Sequence, residues 1–229
     1  KLLDRVCTTL DDLNCAHSPD RVCLCFDGEK NWRKQYNADY KSTRRHTEFM
    51  RTLFGACCSV MRSHSQSSSF ATPTLLLEHP ELEADDTIHY IARQCDIKRV
   101  TRVTIIANDK DYVPLLRLPH VHIVDIKGAE VQCPRTIPIE HFLMVKILSG
   151  DKSDNIAPVF RGCGVKTALR LASNNEALEH RLKNDSVFRE RLEHNRTLID
   201  NAYSLLARPQ LRSWLETQLA AIYAVDEDT

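Results

Sequence analysis

The chain has 229 residues, 42% of them hydrophobic, which is enough to bury the core of one domain and a smaller unit. Its 31 Lys and Arg balance 31 Asp and Glu, so net charge indicates no partner and only the placement of charge can. The sequence has no apolar run of membrane-spanning length, and its nine cysteines include no C-x-x-C pair. These features predict an intracellular protein that is not embedded in a membrane and whose cysteines are reduced thiols; they do not indicate a cellular compartment.

Hydrophobic periodicity predicts helices alternating with strands in the first part of the chain. Residues 1–14 have helical spacing, and further helices are expected at about 49–61, with Phe49 and Phe54 on the apolar side, and at about 83–95. Four apolar runs predict strands: 21–26, 73–77, 103–107 and 121–126. This alternation favours an α/β fold with a mainly parallel, doubly wound sheet. The serine-rich stretch 63–69 predicts a polar, mobile loop.

From about Pro138 the pattern is helical throughout. A helix is expected at 140–148, followed by amphipathic helices to about Ala224 and an acidic tail. We therefore expect two units, residues 1–136 and an all-helical unit at 137–229.

Acidic residues cluster where predicted strands and helices meet. Glu83, Asp85 and Asp86 fall within four positions at a helix start, where the helix dipole accounts for one or two acids but hardly for three. Two carboxylates about 4 Å apart repel by roughly 4 kcal/mol at an effective dielectric near 20, so such a group needs protons or metal ions to neutralise it. Further acids follow strand or helix ends: Asp27, Asp109, Asp111, Asp151 and Asp154.

Parallel strands place their carboxyl ends at one edge of the sheet, where ligands bind, so these acids predict a metal site. Hard oxygen ligands favour Mg²⁺ or Mn²⁺ over zinc. For Asp27, followed by Gly28, a turn-forming Asp-Gly pair is an equally compatible interpretation.

Two other segments indicate nucleic acid. Cations and rings alternate between Trp32 and Arg45, a pattern suited to backbone contact and stacking with a single strand, although a solvated face would also explain the charge. Gly162 and Gly164 precede a helix and expose backbone N–H groups that can hold a phosphate or a bridging cation, although a tight inter-helix turn is the alternative.

In their order, these motifs resemble the bacterial and phage type of 5′→3′ exonuclease and flap endonuclease. The matching segments are Phe26-Asp27-Gly28, Tyr40-Lys41-x-x-Arg44, Glu83-Ala84-Asp85-Asp86, Asp109-Lys110-Asp111, residues 150–156 and residues 162–168. The block from Asp151 to Ile156 followed by G-x-G-x-K-T-A is the most specific part, and the resemblance covers nearly the whole chain. It implies a resolvase-like, PIN-type core with an arch region at about 33–72 and a C-terminal helix-hairpin-helix subdomain.

The resemblance also implies roles for residues. Two Mg²⁺ ions, replaceable by Mn²⁺, would be held by Asp27, Glu83, Asp85, Asp86, Asp109, Asp111, Asp151 and Asp154. Lys41 and Arg44 would be catalytic, in contact with the scissile phosphate. Nucleic acid would be bound by Arg33, Tyr40, Arg45, Gly162, Gly164, Lys166 and Thr167, with K⁺ as a candidate bridging ion at the hairpin.

The activity implied is that of a metal-dependent, structure-specific 5′ nuclease acting on replication or repair intermediates. Its expected substrates are DNA with a 5′ flap, a nick or a single-strand/duplex junction, and RNA primers on DNA; a monomer is expected, with a DNA polymerase as a candidate partner. The alternatives are a catalytically impaired relative that binds branched DNA and a PIN-type ribonuclease.

One departure concerns the start of the chain. The family carries a metal-binding aspartate on a strand before the first helix, whereas this sequence begins within the helical pattern, and Asp4 lies in that pattern and is no substitute. We expect that the strand has been lost from this sequence, and the impaired relative is the alternative.

Overall fold

The computed structural model describes residues 2–45, 47–70 and 72–224. The predicted acidic tail, the first residue of the predicted first helix and the outer limits of the two predicted units, residues 1 and 229, lie outside the described residues.

The first part of the chain alternates helices with strands, which confirms the predicted α/β pattern. Its elements are α1 (Leu2–His17), β1 (Val22–Phe26), α2 (Trp32–Tyr36), α3 (Glu48–Ser65), β2 (Thr74–Glu78), α4 (Ala84–Gln94), β3 (Val103–Ile106), a 3-10 helix (Lys110–Arg117) and β4 (Val121–Val124). The strands are short and rich in Val, Leu and Ile, the composition of strands buried in parallel sheets.

The strands are parallel, as predicted, but they form two separate pairs. β1 pairs with β2, with Val22 opposite Thr74, and β3 pairs with β4, with Val103 opposite Val121. Within the described residues no strand joins the two pairs. Helix α4 contacts β1, β2 and the 3-10 helix, and its Ala92 packs with residues of β3 and β4. Its first turn is hydrogen-bonded both to Asp27 after β1 and to Tyr112 of the 3-10 helix after β3.

The second part of the chain is helical, as predicted. Its helices are α5 (Ile139–Ser149), α6 (Val165–Ala172), α7 (Asn175–Asn184), α8 (Ser186–Ile199), α9 (Asn201–Leu206) and α10 (Pro209–Ala224). α5 packs against the 3-10 helix, α6 and α8, and its residues Val145 and Leu148 lie in a core with Ala168 and Phe188. α9 and α10 both contact α4, so the helical part covers the α/β part.

The loop after α3 is shorter than the serine-rich stretch 63–69 predicted. α3 continues to Ser65, which is buried, and its hydroxyl donates to the carbonyl of Arg62. Phe70 is buried as well and anchors the far end of the loop. The prediction was wrong for 63–65 because these polar residues form the last turn of the helix.

A close approach of two loops makes Gly28 necessary. A Cβ atom at this position would overlap the backbone oxygens of His79 and Pro80. The Gly28 amide donates to the carbonyl of Leu82 at 2.7 Å, which ties the end of β1 to the start of α4. No helix that the structure describes has the length and apolar character needed to cross a membrane.

Candidate active site

Seven carboxylates lie where β1, β3, α4 and α5 begin or end, and we call them the acidic rim: Asp27, Glu83, Asp85, Asp109, Asp111, Asp151 and Asp154. Asp27 is exposed after β1, and its Oδ1 accepts a hydrogen bond from the Ala84 amide at 2.8 Å, which ties it to α4. Asp109 follows β3, and its Oδ1 accepts from the Asp111 amide at 2.9 Å, which starts the 3-10 helix. Both acids therefore accept a hydrogen bond from the first turn of a helix, α4 for Asp27 and the 3-10 helix for Asp109.

Asp86 has a different role from the metal ligand that the sequence predicted. Its two oxygens accept from Arg33 Nη1 and Nη2 at 2.7 Å each, and 0% of its side chain is exposed. It also accepts from the Glu83 amide at 3.1 Å, one half of a capping box, and from Asn201 Nδ2 at 3.1 Å. The carboxylate is saturated by these four donors and has no surface for an ion. The metal assignment of Asp86 was therefore wrong.

Arg33 was expected to bind nucleic acid, and that expectation is wrong for the same reason. Only 2% of its side chain is exposed, and Nε donates to the Leu198 carbonyl at 2.9 Å. Burial works to lower the pKa of Arg33, but the charge and hydrogen bonds of Asp86 and the charge of Glu83 outweigh it and raise this pKa well above its usual value. The guanidinium fastens α2 to α4 and α8.

The loop that carries Lys41 and Arg44 interlocks with the loop from Asp151 to Ile156. The Lys41 amide donates to the Asp154 carbonyl at 2.9 Å, and Asn155 Nδ2 donates to the Asp39 carbonyl at 3.0 Å. Lys41 and Asn155 have positive φ values, 55° and 59°, which non-glycine residues adopt only where the surroundings hold them. Each loop therefore fixes the backbone of the other.

Both predicted catalytic cations lie against the acidic rim. Lys41 Nζ pairs with Glu83, and Arg44 Nη2 pairs with Asp154 at 2.5 Å. Between them the Tyr40 hydroxyl donates to Glu83 at 2.9 Å and lies 3.2 Å from an oxygen of Asp154. The loop thus connects acids that are 71 positions apart in the chain.

Tyr40 was expected to contact nucleic acid, but it is only 3% exposed, in a cluster with Ile156 and Leu198. This expectation is wrong because both faces of the ring are covered by the protein. The exposed rings on the neighbouring helices are Tyr36 of α2, 46% exposed, and Phe49 and Phe54 of α3, which are 72% and 67% exposed although helical spacing had placed them on the apolar side. Arg45 is exposed, as its predicted role requires.

Asp85 depends on a residue that the sequence did not indicate. The Tyr112 hydroxyl, carried by the 3-10 helix, donates to Asp85 Oδ1. Burial raises the pKa of Asp85 to about 6, the charges of Glu83 and Asp109 act in the same direction, and the Tyr112 hydrogen bond opposes them. These interactions place Asp85 next to Glu83 and Asp109.

Lys146 of α5 is a second residue that the prediction missed. Its Nζ pairs with Asp111 and lies 3.0 Å from Asp151 Oδ2. Burial raises the pKa of Asp111, with Asp109 and Asp151 adding to the rise and Lys146 opposing it. For Asp151 burial also acts upward, but the Ser153 hydroxyl and Lys146 outweigh it and lower the pKa to about 2. One lysine therefore neutralises two acids of the rim.

The rim has the right donor chemistry for a hard divalent cation, because all its side-chain ligands are carboxylate oxygens. The pKa values of Asp85 and Asp111 are raised mainly by burial and to a smaller extent by neighbouring acids, so part of the cost of placing these carboxylates together remains for a cation to offset. In the described residues, however, no three His, Cys, Asp or Glu side chains are grouped closely enough to hold an ion. Lys41, Arg44 and Lys146 pair with these acids instead, so ion binding would require the ammonium and guanidinium groups to move aside.

The predicted hairpin residues lie on an exposed turn before α6. Gly162 has φ of 83°, Gly164 is the residue before the first turn of α6, and Lys166 is exposed. Thr167 is partly exposed, whereas the next residue, Ala168, is buried against α5. The glycines and Lys166 therefore face solvent on a turn whose other side is part of the core.

Comparison with known proteins adds three similarities. DNA polymerase I of Thermus filiformis is 37% identical over 114 residues, which cover 47% of this chain and 13% of the polymerase. Flap endonuclease Xni of Pseudoalteromonas translucida is 27% identical over 200 residues, which cover 83% of this chain and 74% of that protein. A bacteriophage T5 flap endonuclease variant, solved in complex with DNA and metal ions, has a TM-score of 0.74 and 20% identity, covering 99% of this chain and 91% of its own.

The T5 similarity establishes the fold. Relatives from Shewanella, also flap endonucleases Xni, are matched over 64% of their length, so this chain spans only part of several curated relatives. The family described as 5′-3′ exonuclease, N-terminal resolvase-like domain, matches residues 2–144, more than half of the sequence. The chain therefore belongs to the family of 5′-3′ exonucleases defined by this resolvase-like domain.

Proposed function

We propose that the chain is a metal-dependent, structure-specific 5′ nuclease that hydrolyses phosphodiester bonds in DNA at 5′ flaps, nicks and single-strand/duplex junctions, and in RNA primers on DNA. The observation that carries the proposal is the acidic rim, formed by residues from separate elements and faced by Lys41 and Arg44. The relatives named flap endonuclease and the match to the 5′-3′ exonuclease family support the same activity.

Two Mg²⁺ ions, or Mn²⁺ in their place, would be held by the acidic rim. Asp27, Glu83 and Asp85 would hold one ion, Asp151 and Asp154 the second, with Asp109 and Asp111 near both. Paired divalent ions supply a water that is nucleophilic near neutral pH and absorb charge on the leaving oxygen. The solved T5 flap endonuclease with metal ions supports a divalent ion in this fold.

Lys41 and Arg44 would bind the scissile phosphate. In the structure both lie against rim carboxylates, so a phosphate that approached the rim would meet an ammonium and a guanidinium at its edge. Lysine acts as a point charge and arginine as a bidentate fork, so together they would orient the phosphate and stabilise the developing negative charge.

Duplex DNA would be bound away from the rim by the turn before α6. Gly162, Gly164, Lys166 and Thr167 would contact one backbone without reading its sequence, with K⁺ as a candidate bridging ion. Exposed Arg45, together with Phe49 and Phe54, would contact the single strand by charge and stacking.

The units proposed are residues 1–136, with an arch at about 33–72, and residues 137–229. We also propose that the protein is an intracellular monomer, with a DNA polymerase as a candidate partner.

A cleavage assay with a 5′-flap duplex and Mg²⁺ tests the proposal. We expect cleavage near the junction, a loss of turnover of at least about a hundredfold for Asp151→Asn, and duplex affinity within about threefold of the unchanged protein. Asp20→Asn is a matched control, because Asp20 is exposed at the opposite end of β1. Absence of cleavage with all rim acids intact, or equal losses of turnover and affinity, would contradict the proposal.

One observation favours a second candidate, a relative that binds branched DNA without cutting it. Among the described residues the rim acids pair with Lys41, Arg44 and Lys146, and no three of them are grouped as ready metal ligands. Calorimetric titration with Mn²⁺ separates the two, because a non-cleaving relative would bind the branched duplex without binding the ion. Single-stranded RNA in parallel tests the ribonuclease alternative, for which cleavage of RNA in preference to the flap is expected.

A further inference from the structure

A small cavity lies beside Asp111 of the acidic rim, where α4, the 3-10 helix, α5 and the junction of α8 and α9 meet. Its volume is about 20 Å³, and its lining is mixed: apolar groups of Pro114, Leu143 and Ile199, and six polar or charged side chains, His89, Arg93, Asp111, Lys146, Asp200 and Asn201. About 10–15 Å³ is enough for one water, and a polar lining is what keeps a buried water in place. The cavity therefore has the size and character of a single-water site.

Two buried nitrogen atoms on the cavity wall lack a hydrogen-bond partner within the described part of the chain. They are Nε2 of His89, a residue only 6% exposed, and Nε of Arg93. His89 and Arg93 lie four positions apart on α4, so they share one face of the helix. Arginine Nε always donates, while a histidine ring nitrogen donates or accepts according to its tautomer. One water can accept a hydrogen bond from Arg93 Nε, and it can either donate a hydrogen bond to His89 Nε2 or accept one from it, according to the tautomer of the ring.

The charges around the cavity favour water over an ion. Two cationic side chains, Arg93 and Lys146, face two acidic ones, Asp111 and Asp200. Because these charges balance, the cavity offers no excess of either sign to attract a buried cation or anion.

His89 connects this cavity to the acidic rim. Its ring stacks on that of Tyr112 at a centroid distance of 5.5 Å and an angle of 27°. The Tyr112 hydroxyl in turn donates to Asp85. On its other side the cavity is bordered by Asp111 and by Lys146, which pair with each other. The His89 ring therefore lies between the supports of two rim carboxylates that belong to different elements.

We propose that an ordered water in this cavity bridges His89 and Arg93, and that the bridge makes His89 a positioning residue for Asp85 and Asp111. The water keeps the His89 ring stacked on Tyr112, and the Tyr112 hydroxyl keeps Asp85 in position through its hydrogen bond. Because the water fills the cavity, it also restricts the movement of Asp111, which lines the same cavity. The positioning role rests on the proposed function, because it takes the acidic rim as an ion site. The water site itself is independent of that function.

A high-resolution crystal structure of the full chain tests the water site. We expect one solvent peak within hydrogen-bond distance of His89 Nε2 and Arg93 Nε. An empty cavity would overturn the bridge, as would an ion there, revealed by an anomalous peak after soaking in bromide or rubidium.

Calorimetric titration with Mn²⁺ tests the positioning role without relying on cleavage. His89→Phe keeps a ring on Tyr112 but removes the nitrogen, and Arg93→Met removes the donor. We expect each variant to bind Mn²⁺ about tenfold more weakly, a loss typical of residues that support metal ligands. The double variant should be no weaker than either single one, because both act through one bridge. His89→Gln, whose amide can still bind the water but which has no ring to stack on Tyr112, should recover only part of the affinity.

Tyr90→Phe is the matched control, because Tyr90 packs on the other face of α4 against the cluster of Trp32, Leu82 and Leu215, and should bind Mn²⁺ like the unchanged protein. Additive losses in the double variant, unchanged affinity in His89→Phe, or an unchanged protein that does not bind Mn²⁺ would overturn the positioning role. A protein that binds Mn²⁺ and shows the solvent peak but leaves a 5′ flap uncut would instead contradict the proposed nuclease function and leave this inference standing.

Discussion

Arg33 and Asp86 form a bidentate ion pair in which both hydrogen bonds are 2.7 Å long and at most 2% of either side chain is exposed. The pair joins α2 to α4, and Arg33 Nε extends it to the end of α8 through the Leu198 carbonyl. Asn201 of α9 completes the ring around Asp86. The buried charges therefore fasten the start of the acidic helix to the helical part of the molecule.

Removing one partner of this pair should be strongly destabilising. Asp86→Ala removes the bidentate partner of the buried Arg33 charge and leaves it only Glu83, 3.2 Å from Nη1, so we expect the free energy of unfolding to fall by about 3–5 kcal/mol. Replacing both residues by apolar ones, Arg33→Met with Asp86→Leu, should recover much of the loss. Urea unfolding at pH 7 measures both, with Asp20→Ala as the control for an exposed acid. A loss below about 1 kcal/mol for Asp86→Ala, combined with weaker Mn²⁺ binding, would restore Asp86 as a metal ligand.

The sequence predicted the local elements because they depend on neighbouring residues. The four strands follow from apolar runs, two of which lead directly into Asp27 and Asn108-Asp109, and the structure has strands at all four places. The partner of Asp86 could not be predicted, because Arg33 lies 53 positions away and its charge suggested solvent or nucleic acid. The separation of the strands into two pairs likewise depends on distant contacts rather than on periodicity.

Lys146 and Tyr112 differ in how far the sequence could have predicted their place in the site. Lys146 is the only Lys or Arg in α5 and lies within its apolar run from Phe142 to Leu148, and a single cation in such a run is a usable signal for a buried acidic partner. Tyr112 follows Asp111 directly, and nothing in its neighbours indicates that its hydroxyl meets Asp85. The rings of Tyr40, Phe49 and Phe54 show that helical spacing and composition cannot tell which ring in a basic segment is covered.

Gly150 should tolerate no side chain, whereas Gly55 should accept one. Gly150 has φ of 70°, and a Cβ atom there would overlap the backbone of Ile156 and Ala157. Gly150→Ala should therefore lower the free energy of unfolding by about 1–3 kcal/mol or more. Gly55 lies within α3 with nothing within 4 Å of an added Cβ, so Gly55→Ala should raise it by about 0.5–1 kcal/mol. Thermal unfolding compares the two, and similar effects would show that the Gly150 turn is not fixed as described.

Cys23 should react slowly in the folded protein. Burial raises the pKa of its thiol to about 11, against a smaller opposing effect of Arg21, so roughly one thiol in a thousand is ionised at pH 8. Alkylation by iodoacetamide, followed by mass spectrometry, should be slower by about two orders of magnitude than in urea and should speed up about tenfold per pH unit. Cys15, which is exposed on α1, is the control and should react at similar rates in both states. Equal protection of both residues, or of neither, would contradict this expectation.

The raised pKa of the Cys23 thiol also determines in which direction the free energy of unfolding changes with pH. The pKa of the Cys23 thiol in the folded protein, about 11, lies above the value near 8.5 of an unfolded thiol, so its contribution is fully present below about pH 8.5. That contribution is lost as the pH rises towards 11. The urea midpoint should therefore fall over this interval, and Cys23→Ala should fall less steeply than the unchanged protein. A parallel decline in both proteins would assign the effect to other groups.

Lys146→Met should separate charge neutralisation from ion binding. Without this lysine, Asp111 and Asp151 keep their negative charges with no ammonium between them, so the metal-free protein should be less stable in urea. The same change removes a competitor from the acidic rim, so Mn²⁺ should bind more tightly, by about tenfold if the competition amounts to about 1.4 kcal/mol. Lys152→Met is the matched control, because Lys152 is exposed in the next loop. Calorimetry with Mn²⁺ and urea unfolding in EDTA measure the two effects. Weaker Mn²⁺ binding in Lys146→Met would mean that the ammonium group orients these carboxylates for the ion instead of competing with it.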